Sequence, residues 1–220
     1  MEPRTNRQRA PEPGERVRDA ERTKAKLLDA ALTEFAAHGY QGARVGAIAE
    51  RAGVNKQLVS YYFGGKEGLY RALQRDWLAA ERDHADADVP PAELMRWYLR
   101  KNLADVRLVR LTLWRALAED APQEETQADV DAEQARMRER REQGEFAPDL
   151  DTAAVQLAMM GMVFAPAVFR STARRLFGVD IDDPEFESRY GDTLSRILAR
   201  LAADTATEHT TEDTTEGDRP

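Results

Sequence analysis

Residues 45–63, VGAIAERAGVNKQLVSYYF, decide how this chain folds. Val45, Ile48, Ala49 and Ala52 recur at helical spacing on one face of a short helix. Gly53 supplies the residue that turns with positive φ and ends that helix. Asn55 carries a side-chain oxygen suited to cap the next one. Leu58, Val59 and Tyr62 recur on the second helix and face the first, and the small Ala49 leaves room for a tight crossing. Lys56, Gln57, Ser60 and Tyr61 then point outward, with side chains that reach phosphates and base edges. This spacing predicts a helix-turn-helix whose second helix reads DNA. A glycine-linked helix pair in any all-helical protein shares the bare pattern, so the flanking sequence has to decide.

Upstream, residues 22–40 (RTKAKLLDAALTEFAAHGY) form an amphipathic helix with Leu27, Leu28, Ala31, Leu32 and Phe35 on its apolar side, stopped by Gly39. Downstream, Gly64-Gly65 lead into a long helix to about Asp86 carrying Leu69, Leu73, Trp77 and Leu78. Helix, helix-turn-helix, aromatic cluster, Gly-Gly, Lys-Glu and long helix follow in order. The residues Gly39-Tyr40, Val45, Ile48-Ala49, Ala52-Gly53-Val54, Lys56, Tyr61-Tyr62-Phe63, Lys66-Glu67 and Leu69 give residues 22–78 a pattern that resembles the N-terminal half of tetracycline-repressor (TetR) family regulators. Two departures stand out. Ala43 and Arg44 occupy positions where the family often carries a capping Thr or Ser, so that cap is lost or supplied by another residue, while Arg44 still suits a phosphate. Ser60 replaces the family's usual Tyr in the recognition helix, which changes the bases read. DNA contacts are therefore expected from Lys56, Gln57, Ser60 and Tyr61 toward bases or adjacent backbone, and from Arg44, Tyr62 and Lys66 toward phosphate.

The chain has 220 residues, 42% of them hydrophobic, enough for a small head and a larger body with a buried core. There is no cysteine, hence no disulfide, thiolate metal site or cysteine nucleophile, which fits a reducing cytoplasm. The net charge of -8 argues against nucleic acid only until the chain is divided. Residues 1–75 hold 14 basic and 9 acidic side chains, and the rest 18 and 31, so a basic head sits on an acidic body. The N-terminal segment is charged and proline-containing, unlike a signal peptide. The longest apolar run, residues 153–169, is broken by Gln156 and Pro166 and reads as a buried helix, so no membrane partner is expected.

Beyond the head the pattern is helical throughout. Segments 92–105 and 106–120 follow Pro90-Pro91, with Pro91 in a first turn and an unplaced boundary between them. Pro122 opens a charged helix to about Gln143. Asp151-Thr152 cap the apolar helix to Phe169, and Asp182 or Asp183 caps a last helix near 185–203. The domains expected are an unstructured arm (1–20), a helix-turn-helix head (21–66), a helical ligand-binding and dimerisation body (67–204) and an unstructured acidic tail (205–220). The fold class is all-α. Arginines in the arm add positive potential or enter a minor groove.

One head reads few base pairs, so a homodimer on a palindromic operator of double-stranded DNA is expected. Met162, Phe169, Phe186, Tyr190, Leu194, Ile197 and Leu201, on the last two apolar helices, are the candidate dimer face; closing the monomer core is the competing reading. The resemblance implies a pocket for a small-molecule effector among the central helices. Trp97, Trp114, Met159 and Phe164 are the candidate walls, suiting an apolar or planar aromatic compound. No cofactor and no catalysis are expected. His38, His84 and His209 form no metal-binding pair, the group Asp83, His84, Asp86 and Asp88 reads as a solvated helix end, and no nucleophile elbow or phosphate loop occurs. The reading is thus a TetR-like repressor released by an effector. Activation from the same fold, or a helical carrier or enzyme with a vestigial head, are the alternatives.

Overall fold

A computed structural model describes residues 13–82, 84, 89–118, 122 and 126–202. Among these residues there are ten helices and no strand: α1 (Pro13–Gly42), α2 (Val45–Ala52), α3 (Gln57–Phe63), α4 (Lys66–Arg82), α5 (Pro91–Ala104), α6 (Val106–Leu117), α7 (Gln127–Glu142), α8 (Thr152–Val168), α9 (Arg170–Phe177) and α10 (Pro184–Leu201). They form two compact units, one holding α1–α4 with α6, the other α5 with α7–α10. The units therefore divide the chain differently from a 66/67 boundary. Leu69 and Tyr70 of α4 and Leu111 of α6 share one apolar core with Leu27, Ala31 and Phe35 of α1 and with Ile48 and Val59. Residues 13–20, expected in an unstructured arm, are the first turns of α1. Arg22 pairs with Asp19 one turn before it (2.6 Å), an i,i+3 contact that adds a little helical stability there. Residues 1–12 and the tail 205–220 lie outside the described residues.

In the first unit the Tyr70 ring packs edge-on against Phe35 and Tyr40, 4.9 Å from each, while Phe35 and Tyr40 stack on one another at 6.1 Å. α6 is fastened along α1. Asp105 caps α6 by accepting from the Arg107 N–H, and the Arg107 guanidinium reaches Asp105, Asp29 (2.9 Å) and the Thr33 hydroxyl (2.7 Å). The Trp114 indole N–H donates to the Ala36 carbonyl at 3.2 Å. Gly39, at φ +66, lies under that indole, where a Cβ would stand 2.9 Å from the ring. Glycine is required there for both backbone and space.

The second unit is organised around an interruption in α8. Pro166 has no N–H, so the Met162 carbonyl loses its intrahelical partner. The Tyr190 hydroxyl of α10 replaces it at 2.7 Å, and the buried Asn102 of α5 donates its Nδ2 to the next carbonyl, Val163 (3.2 Å). α8 and α9 then meet at 86°. Tyr190→Phe is expected to lower the stability of this unit by about 1–2 kcal/mol, measured by urea unfolding, because a buried carbonyl loses its replacement donor. Unchanged stability would contradict this account of the break.

The helix starts follow local capping, with two corrections to the sequence reading. α7 begins at Gln127, not at Pro122: Thr126 and Asp129 form a reciprocal capping box that sets the start. α9 had no counterpart in the pattern, being polar apart from a few residues and ending at Gly178 in the left-handed region. Asp151 and Asp183 cap α8 and α10 as read, and Asp105 places the α5–α6 boundary.

Candidate nucleic-acid interface

The α2–α3 hairpin is built by three local devices. Gly53 sits at φ +67 and ψ +35, its N–H donating to the Glu50 carbonyl (3.0 Å), while Val54 donates to Ala49 (3.0 Å). Asn55 Oδ1 accepts from the Gln57 N–H at 2.8 Å, opening α3. Val59 is fully buried, Leu58 and Tyr62 pack against the same core, and Ala49 is buried at the crossing.

With that face committed, Lys56, Gln57, Ser60 and Tyr61 are exposed together on α3 and its N-cap. Tyr61 is 77% exposed, its ring held edge-on to Tyr62 at 4.9 Å. Arg44, at the start of α2, is exposed as well. Among the described residues neither its guanidinium nor the Lys56 ammonium has an internal ion pair or hydrogen bond. Cations left unneutralised beside an exposed helix face attract a polyanion.

Lys66 and Tyr62 are tied inward too. The Lys66 ammonium donates to the Gln41 carbonyl (3.1 Å) and lies 4.7 Å from the Tyr40 ring centroid, so it joins the start of α4 to the α1–α2 turn. Lys24 stands 5.8 Å from the Tyr62 ring centroid. At the start of α2, Arg44 caps with no side-chain bond, and the missing hydroxyl is made up from α1: Glu34 Oε1 accepts the Arg44 backbone N–H at 3.2 Å.

A family model described as bacterial regulatory proteins, tetR family, matches residues 27–73. The HTH-type transcriptional repressor SCO4008 of Streptomyces coelicolor is 33% identical over 160 residues, covering 67% of this chain and 82% of that protein. This chain belongs to the tetR family. The HTH-type transcriptional regulator RutR of Escherichia coli is 38% identical over 94 residues, 41% of this chain and 44% of RutR. The crystal structure of SCO4942 from Streptomyces coelicolor superposes with a TM-score of 0.63 at 25% identity, over 80% of this chain and 97% of that one. The protein is therefore an all-α, DNA-binding transcriptional regulator of the TetR family.

The remaining candidates fall in different places. Met159 and Phe164 pack against one core cluster of the second unit. Trp97 makes a separate stack, 4.3 Å from His84 and edge-on to Tyr98. Trp114 belongs to the first unit, bound to Ala36. The expected dimer face needs correction at two positions, because Phe186 is 0% and Leu194 2% exposed, inside the chain's own core. Met162, Tyr190 and Leu201 are half-buried against that core, whereas Phe169 and Ile197 are exposed. Leu157 (70% exposed), Met160 and Val168, all on the apolar α8 expected to take part in dimerisation, face outward. Among the described residues no group of three His, Cys, Asp or Glu is placed to hold a metal, and no single helix is long and apolar enough to cross a membrane. Asp83, Asp86 and Asp88 lie outside the described residues.

Proposed function

We propose that this TetR-family regulator is a cytoplasmic, homodimeric repressor that releases a two-fold symmetric operator when a small molecule binds its second unit. The observation that carries the reading is the outward set on α3, where Lys56, Gln57, Ser60 and Tyr61 stand clear while the opposite face is buried. In the major groove those four meet base edges and adjacent backbone, and Arg44, Tyr62 and Lys66 meet phosphates. Lys66 keeps donors beyond its bond to Gln41 for that purpose. The name of SCO4008 as a repressor supports the sign of regulation.

For dimerisation, the exposed Leu157, Met160 and Phe169 with Ile197 offer an apolar surface, flanked on α8 by the small exposed residues Ala154, Ala158 and Gly161 that admit close helix approach. For the effector, Met159 and Phe164 supply apolar contacts beside Asn102, whose buried Oδ1 has no hydrogen-bond partner. An apolar compound with one donor suits that lining. Effector control requires that the compound bind the DNA-incompetent state more tightly than the competent one.

Selection of the full-length protein against random-sequence duplexes tests the reading. A palindromic consensus bound by a dimer, with Lys56→Ala weakened by about 1–3 kcal/mol, is the expected outcome. Recovery of no preferred sequence would overturn it.

A further inference from the structure

We infer that Glu34 is a positioning residue for operator binding, acting through the backbone of Arg44; this rests on the proposed DNA reading. Glu34 stands at a core position. Leu27, Ala31, Glu34 and Phe35 fall at the i, i+4, i+7, i+8 spacing of the buried face of α1, and three of the four are apolar. A carboxylate there is 5% exposed, and burial of a charge is unfavourable unless it is bonded. A charged residue that breaks the local pattern marks a requirement of another kind.

The requirement lies at the start of α2. In a capping box the N-cap N–H is accepted by a Glu or Gln three residues on. Here that position is Ala47, which has no acceptor, and Arg44 itself caps nothing with its side chain. Glu34 provides the acceptor from another helix, its Oε1 at 3.2 Å from the Arg44 nitrogen, while Oε2 lies 4.0 Å from His38 Nε2. The bond holds Arg44 in an extended conformation (φ −117, ψ 124), and its guanidinium leaves the surface exposed and without an internal partner. The carboxylate is buried and bonds the Arg44 backbone without pairing with its guanidinium, so the cation is left to phosphate rather than neutralised by the acid that holds it.

The test uses the full-length chain on its selected operator, over a salt series. Arg44→Ala is expected to lose about tenfold in affinity and to reduce the slope of log K against log salt by about one, as for one lost phosphate contact. Glu34→Met, apolar and of similar length, should show the same loss and the same slope, and the double variant should be no worse than either. Glu34→Gln, which keeps the acceptor, should retain wild-type affinity. Glu34→Asp keeps the charge but is a methylene too short, and should behave like Glu34→Met; it also serves if Glu34→Met melts below the assay temperature. A Glu34→Met or Glu34→Asp protein that binds with wild-type affinity and slope overturns the inference, as do losses that multiply in the double variant. In either case Lys56→Ala still reports on DNA reading by α3, so the two claims fail separately.

Discussion

Gly68→Ala is expected to unfold the DNA-reading unit at markedly lower temperature and to abolish operator binding. Gly68 lies in the first turn of α4, where the Phe63 carbonyl at the end of α3 presses against its Cα. A Cβ would stand 1.7 Å from that oxygen and 2.9 Å from the carbonyl carbon. Both atoms are backbone, so no side-chain rotation relieves the clash. The link is short, Gly64 and Gly65 both at positive φ, and cannot lengthen without pulling α3 from Ile48 and Ala49 or α4 from Phe35. Overpacking of this kind costs about 1–3 kcal/mol and more where the backbone cannot yield. The upper end or beyond is expected here, read by thermal unfolding. Gly46→Ala is the control. Gly46 is an α2 residue with open space at its Cβ, and alanine there should match or exceed wild-type stability by about 0.5–1 kcal/mol. Equal melting of Gly68→Ala and wild type would refute the α3–α4 geometry.

Arg140→Ala is expected to destabilise the second unit by about 3–5 kcal/mol, the range for breaking a buried ion pair. Arg140 is 4% exposed on the charge-dense α7, which buries only it and Met137. Its guanidinium pairs with Glu145 (2.9 Å) and donates to the Val89 carbonyl (2.9 Å), joining the loop after α7 to the segment before α5. Truncation leaves a half-buried carboxylate unpaired, a carbonyl without that donor, and a void where the stem packed. Loss within 0.5 kcal/mol in urea unfolding would mean that the pair is surface-like after all.

The head was legible in the sequence because its determinants are local. Gly53 turns, Asn55 caps and Val59 buries, each within a few residues of its partner, and the family resemblance added order along the chain. Local rules still missed Glu34, whose partner lies ten residues away across a turn; its one visible signal was a carboxylate on an apolar seam. In the second unit the partners lie farther apart. Pro166 announces a break in α8, but nothing in the pattern names Tyr190 as the side chain that satisfies the freed Met162 carbonyl, or Asn102 as the donor to Val163 beside it. The stripe from Phe186 to Leu201 was visible as a helix face, yet periodicity does not distinguish an intramolecular cover from a partner's. Leu194 faces inward because α10 packs on α5, where Arg96 reaches Asp192 and Ser195, and Phe186 is closed off by the Phe177 ring of α9 at 4.8 Å. The start of α7 is local too, since Thr126 and Asp129 stand at capping-box spacing, whereas Pro122 lies five residues before the helix.

The central claim is that the exposed face of α3 reads DNA sequence. Fluorescence anisotropy of wild type and Tyr61→Ala, on the selected operator and on a scrambled duplex, tests it most directly. Wild type should bind the operator far more tightly than the scrambled duplex, and both affinities should fall with salt. Tyr61→Ala should lose about 1–3 kcal/mol on the operator while its binding to the scrambled duplex is little changed. A folded Tyr61→Ala protein with wild-type discrimination between the two duplexes would contradict the claim.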